Sequence, residues 1–131
     1  MADILIIDDE ELVRLTLRSL LEQAGHSVRE ACDGLQAEEM WKAQLPDLMI
    51  TDLIMPEREG IETIRVFRNE YPDVPLIAIS GGGRRGNDDY LAIASAFGAT
   101  ATLQKPFELD ELLSTVDEAL TSKGTTRTTA A

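Results

Sequence analysis

The chain has 131 residues, 44% of them hydrophobic, and a formal net charge of −12. This length favours a single domain, and the composition is typical of a folded globular protein, which excludes a disordered chain. The strong negative charge disfavours direct binding to nucleic acid or to an anionic membrane, because both present negative phosphates.

The sequence also bears on location and redox chemistry. It has no basic leader and no apolar stretch long enough to span a bilayer, so we expect a cytoplasmic protein without membrane contact. Its single cysteine, Cys32, has no second cysteine for a disulfide or a thiolate metal site. We expect Cys32 to be a small buried hydrophobic residue.

Apolar runs alternate with helical patterns along the chain. Continuous apolar runs predict strands buried on both faces, and apolar residues spaced by three or four positions predict helices. The predicted strands cover residues 4–7, 27–31, 48–51, 76–79 and 100–103. The predicted helices cover residues 10–24, a stretch after Gly34, a stretch after Gly60, 88–97 and 108–120.

These five βα units with short connections predict an α/β fold, in which helices cover both faces of a parallel sheet. The threonine content of the fifth strand suggests a sheet edge. We assign residues 1–121 to one domain. Residues 122–131 are polar and low in complexity, so we predict a disordered tail and no output domain there.

Acidic residues follow two of the predicted strands. Asp8 and Asp9 follow the first strand, and Asp52 follows the third. In an open parallel α/β sheet, ligands bind outside the carboxyl ends of the strands. Like charges there destabilise one another unless a cation intervenes, and hard oxygen ligands suit Mg²⁺. The acids therefore predict a magnesium site.

Asp52 is the candidate nucleophile, because a carboxylate can attack phosphorus and form an aspartyl phosphate. Lys105 follows the fifth strand and is a candidate for the cation that neutralises the phosphoryl oxygens. Ser80 ends the fourth strand, and its hydroxyl could donate to one of those oxygens. An ordinary surface lysine and an ordinary turn serine remain the alternatives for these two residues.

A glycine-rich segment follows the fourth strand. Gly81, Gly83 and Gly86 match the weak dinucleotide-binding pattern G-x-G-x-x-G. The segment is in the fourth unit and not the first, and Lys105 and Pro106 stand where the ribose-binding acid would be. We favour a loop beside the site that can rearrange easily.

Together, these motifs resemble the receiver domain of two-component response regulators, over roughly residues 3–121. The matching segments are Ile-Asp-Asp-Glu at 7–10, Asp-Leu-Ile-Met-Pro at 52–56, Gly60, Ile-Ser-Gly at 79–81 and Lys-Pro-Phe at 105–107. The resemblance implies the flavodoxin-like (βα)5 receiver fold, a doubly wound five-stranded parallel sheet of order 2-1-3-4-5.

The resemblance also implies a reaction. Asp52 would accept a phosphoryl group from a phosphohistidine on a sensor histidine kinase or phosphotransfer protein, and Ser80 and Lys105 would contact the phosphoryl oxygens. Phosphorylation would then shift the population between two states and change the surface offered to a downstream target protein.

For the metal, the resemblance implies Mg²⁺ held by Asp9, Asp52 and the backbone carbonyl of Ile54, with Asp8 acting through water. Two positions depart from the family pattern, and one of them is the segment 81–86, which is longer in glycine than usual. Thr102 stands three residues before the lysine, where the family commonly has Tyr or Phe. An aromatic rotamer switch is therefore impossible there, and we hypothesise that the conformational change runs through Ser80 and the glycine-rich loop.

We expect a stand-alone response regulator, a monomer or weak dimer, that signals through protein contacts or phosphate relay. We expect no enzymatic activity beyond assistance to its own phosphorylation and dephosphorylation.

Three other functions are disfavoured. A binding module without phosphorylation is disfavoured by the complete set of site residues. A small phosphatase is disfavoured because Ile54 stands where haloacid-dehalogenase-like enzymes have a second acid. An FMN-binding protein is disfavoured because the acids at 8–11 would repel phosphate.

Overall fold

The computed structural model describes residues 2–52, 60–80, 98–104 and 107–130, without the side chains of residues 60, 61, 80 and 122–130. The strands are β1 (Asp3–Ile7), β2 (Ser27–Ala31), β3 (Leu48–Asp52), β4 (Leu76–Ser80) and β5 (Ala101–Gln104). The helices are α1 (Glu11–Gln23), α2 (Gly34–Ala43), α3 (Gly60–Glu70) and α4 (Leu109–Ala130). The helix predicted over residues 88–97 lies outside the described residues.

The five strands form one parallel sheet in the order β2-β1-β3-β4-β5. This confirms the predicted strand order and places β5 at an edge. β1 lies between β2 and β3, with Ile7 opposite both Ala31 and Thr51. Strands β1 and β3 therefore end at the same level, so Asp8 and Asp52 come to the same edge of the sheet.

Apolar side chains cover both faces of the sheet. Ile4 and Ile6 of β1 belong to one buried cluster, and Leu5 and Ile7 belong to another, because successive side chains of a strand point to opposite faces. The helices α1 and α4 close the first cluster, and α2 and α3 close the second. Burial on both faces explains why the strands read as continuous apolar runs.

Helix α2 begins with a reciprocal pair of capping hydrogen bonds. The Asp33 carboxylate accepts from the backbone N–H of Gln36 at 2.8 Å, and the Gln36 side-chain oxygen accepts from the backbone N–H of Cys32 at 2.7 Å. This arrangement satisfies N–H groups that a helix start otherwise leaves unpaired.

Cys32 is exposed in this connection. The prediction of a buried cysteine is wrong, because Cys32 follows the buried end of β2 and belongs to the turn before α2.

Helix α4 is longer than the sequence pattern predicts. It continues to Ala130, through most of the segment for which we expect a disordered tail. This segment directly continues the part of α4 that packs against the sheet, so it extends a helix that is already nucleated. The domain boundary at residue 121 stays a prediction.

In the described ranges, neither α4 nor any other helix is long and apolar enough to cross a membrane.

Candidate metal centre

Three carboxylates meet at the carboxyl edge of the sheet. One carboxylate oxygen from each of Asp8, Asp9 and Asp52 lies within 4.8 Å of the other two. Asp52 is the last residue of β3, and Asp8 and Asp9 follow β1 directly. The aligned ends of these neighbouring strands therefore bring together the three acids that the sequence singles out.

Two of the three carboxylates are removed from water. Asp8 is 1% exposed and Asp52 is 7% exposed, whereas Asp9 is exposed. Burial disfavours a charged carboxylate, and a neighbouring like charge disfavours it further. A divalent cation offsets both effects, and carboxylate oxygens are the hard ligands that Mg²⁺ prefers. The cluster could therefore hold a metal ion, with its exposed side open to water or phosphate.

The backbone beside these acids is held at several points. The N–H of Asp8 donates to the carbonyl of Ala31 in β2 at 3.1 Å, and the Asp8 carboxylate accepts from the N–H of Glu10 at 2.9 Å. The Asp8 carbonyl accepts from the Arg14 guanidinium at 2.6 Å. Arg14 is not identifiable as a site residue from the sequence, because nothing in the local pattern distinguishes it from other polar residues on α1.

The remaining predicted site residues are not placed by the structure. Ile54, Lys105 and the glycine-rich loop lie outside the described residues. Ser80 ends β4 opposite Gln104, but its side chain is also outside the described part. Thr102 is described: it is half-buried in β5 and pairs with Ala78. The hypothesis of a conformational change through Ser80 and the glycine-rich loop stays a prediction.

Comparison with known proteins matches residues 4–117 to the response regulator receiver domain. The response regulator MprA of Mycobacterium avium is 37% identical over 110 residues, which are 84% of this chain and 47% of that protein. MprA of Mycobacterium tuberculosis shows the same identity over the same length, with 46% of that protein covered. The chain thus spans about half the length of the curated relatives it matches.

Solved structures agree with this match. NtrX from Brucella abortus superposes with a TM-score of 0.91 at 28% identity, over 98% of this chain and 29% of that chain. The chemotaxis response regulator CheY4 of Vibrio cholerae superposes with a TM-score of 0.82 at 29% identity, over 91% of this chain and 98% of that chain. The chain therefore belongs to the response regulator receiver domain family.

Proposed function

We propose that the chain acts as the receiver of a response regulator in two-component signalling, in which Asp52 is the phosphoacceptor. The observation that carries this proposal is the convergence of Asp8, Asp9 and Asp52 at the carboxyl edge of the sheet. Asp52 lies at the end of a strand that is buried along its whole length. Its carboxylate therefore projects from a strand that is packed on both faces, and a carboxylate held in this way favours in-line attack from a defined direction.

The reaction transfers a phosphoryl group between two side chains. A carboxylate oxygen of Asp52 attacks the phosphorus of a phosphohistidine, the new P–O bond forms as the P–N bond breaks, and the electron pair of that bond returns to the imidazole nitrogen. Negative charge spreads over the equatorial phosphoryl oxygens during the transfer. The Ser80 hydroxyl and the Lys105 ammonium are proposed to contact these oxygens.

Mg²⁺ is the proposed cofactor and would supply positive charge beside the phosphoryl oxygens. Asp9, Asp52 and the backbone carbonyl of Ile54 would bind it directly, and Asp8 would act through a bound water. Asp8 and Asp52 are buried and Asp9 is exposed, so the cluster combines fixed ligands with access for water. This combination supports Mg²⁺ as the ion, because Mg²⁺ keeps several waters when it binds to proteins.

The proposed partners are a sensor histidine kinase or phosphotransfer protein as donor, and a downstream protein that recognises the phosphorylated state. The net charge of −12 supports output by protein contact, because such a chain repels nucleic acid. We place this role in the cytoplasm, with the chain as a monomer or weak dimer. It would catalyse only its own phosphorylation and dephosphorylation.

Intact mass after incubation with acetyl phosphate tests the proposal directly. The full chain should gain one phosphoryl group in the presence of Mg²⁺ and none in EDTA. Asp52→Asn should gain none, because the amide is a far weaker nucleophile than the carboxylate. The control Asp117→Asn changes an exposed acid on α4 and should behave like the unaltered chain. A phosphoryl group that persists in Asp52→Asn would refute the assignment of the acceptor.

A further inference from the structure

Arg14 links the metal site to the edge strand β2. Its guanidinium donates from Nε to Glu30 Oε1 at 3.1 Å and from a terminal nitrogen to the Asp8 carbonyl at 2.6 Å. The side chains of Arg14 and Glu30 are only 15% and 18% exposed. One planar cation thus joins a carboxylate on β2 to the backbone at the start of the segment 8–10, which we call the acid loop.

Arg18 provides an internal comparison one turn further along α1. It donates to the second oxygen of Glu30 at 2.9 Å and to Glu22 at 3.0 Å, and its side chain is 43% exposed. Both arginines therefore hold the same glutamate from the same helix. Of the two, only Arg14 has a hydrogen bond to the acid loop in the part of the chain that the structure describes.

We propose that Arg14 is a positioning residue for the metal site. It fixes the Asp8 carbonyl and so holds the carboxylates of Asp8 and Asp9 toward Asp52 before an ion binds. The inference rests on the proposed function, because it concerns the affinity of that same site for its cation. Glu30 anchors the guanidinium, so the position of the acid loop is set by β2 as well as by β1.

Two effects of Arg14 on cation binding have opposite signs. Its positive charge repels a cation, so its removal would strengthen binding if charge dominated. Its tether keeps three mutually repelling carboxylates together, so its removal would weaken binding if positioning dominated. Because Glu30 already offsets much of the Arg14 charge at 3.1 Å, positioning is the larger effect.

The test is Mn²⁺ binding to the full chain, measured by the electron paramagnetic resonance signal of the free ion. Arg14→Gln and Arg18→Gln form a matched pair, since each removes one positive charge and one bond to Glu30 from α1. Arg14→Gln should raise the Kd about tenfold, at the lower end of what loss of an outer-sphere partner costs. Arg18→Gln should stay within about twofold, because its direct partners are not ligands.

Arg14→Lys is the second variant and keeps the charge. A single ammonium lacks the guanidinium fork that serves Glu30 and the Asp8 carbonyl together, so its Kd should lie between those of the unaltered chain and Arg14→Gln. Equal affinities in Arg14→Gln and Arg18→Gln, or tighter binding in Arg14→Gln, would overturn the inference. Failure of the unaltered chain to bind Mn²⁺ would instead refute the proposed metal site itself, and the inference with it.

Discussion

Arg68 and Gly98 are joined by a hydrogen bond between segments thirty residues apart, in which Arg68 Nε donates to the Gly98 carbonyl at 2.7 Å. The same guanidinium donates to the carbonyls of Tyr71 and Val74 and to the Thr100 hydroxyl. Partial burial lowers the pKa of Arg68, and Asp73 opposes that effect. The end of α3 is thereby tied to the segments that lead into β4 and β5.

Arg68→Ala should lower the free energy of unfolding by about 2–3 kcal/mol, because several carbonyls lose a charged donor and are left partly buried. Urea denaturation followed by circular dichroism measures this loss. Arg65 is exposed on the same helix, so the control Arg65→Ala should change stability by no more than about 0.5 kcal/mol. Equal effects of the two substitutions would mean that the Arg68 hydrogen bonds contribute little.

Gly98→Ala should destabilise the protein more than Gly25→Ala does. Both glycines have positive φ, 112° and 100°, which costs an L-residue roughly 1–2 kcal/mol. A Cβ at Gly98 would also lie 2.8 Å from Cγ of Arg68, whereas a Cβ at Gly25 would meet nothing within 4 Å. The Arg68 side chain is held by its hydrogen bonds, so the clash should add about 1 kcal/mol or more.

Urea denaturation of the two alanine variants measures the difference between their losses of stability. The strain energy at each glycine position is not needed for this comparison. If Gly98→Ala and Gly25→Ala lose the same stability, the Arg68 side chain moves aside at no cost, and its packing against Gly98 is not rigid.

Mg²⁺ should stabilise the chain against thermal unfolding, because an ion that binds only the folded state shifts the equilibrium. At ten times the Kd, the gain is about 1.4 kcal/mol. Asp9→Asn should reduce this increment, since it removes one carboxylate from the cluster. Differential scanning calorimetry with and without Mg²⁺ measures it, with Asp117→Asn as the control. An unchanged increment in Asp9→Asn would exclude Asp9 as a ligand.

Glu30 should make a pH-dependent contribution to stability. Hydrogen bonds from Arg18, and secondarily from Arg14, lower the pKa of Glu30, while burial opposes them. A lowered folded-state pKa means that the contribution is complete above the ordinary glutamate pKa of the unfolded chain. It is lost as the pH falls through the lower folded-state value.

The variant Glu30→Gln should therefore be less stable than the unaltered chain at neutral pH, and the difference should shrink as the pH falls through the lowered folded-state pKa of Glu30. Urea denaturation across this range measures the difference at each pH. The control Glu39→Gln changes an exposed glutamate and should show no comparable trend. A Glu30→Gln difference that does not vary with pH would contradict the ionic role of Glu30.

The strands could be predicted closely from the sequence, since all of them are confirmed within one residue at either end. Their order needed the family resemblance, because apolar runs do not record which strands are neighbours. Asp8, Asp9 and Asp52 were predictable since each lies where an apolar run ends. Arg14 was not, because its contacts with Asp8 and Glu30 depend on how α1 packs against β1 and β2.

The side chains of β3 alternate between the two buried clusters, and this has a consequence for folding. Leu48 and Ile50 point to one core and Met49 to the other, so a misalignment of this strand by one residue would still bury apolar side chains on both faces. Such a misalignment would also turn Asp52 toward the layer where Trp41 and Phe67 pack, and an unpaired carboxylate there is unfavourable by several kcal/mol. The acid assigned to phosphoryl transfer thus also disfavours a competing alignment of the sheet.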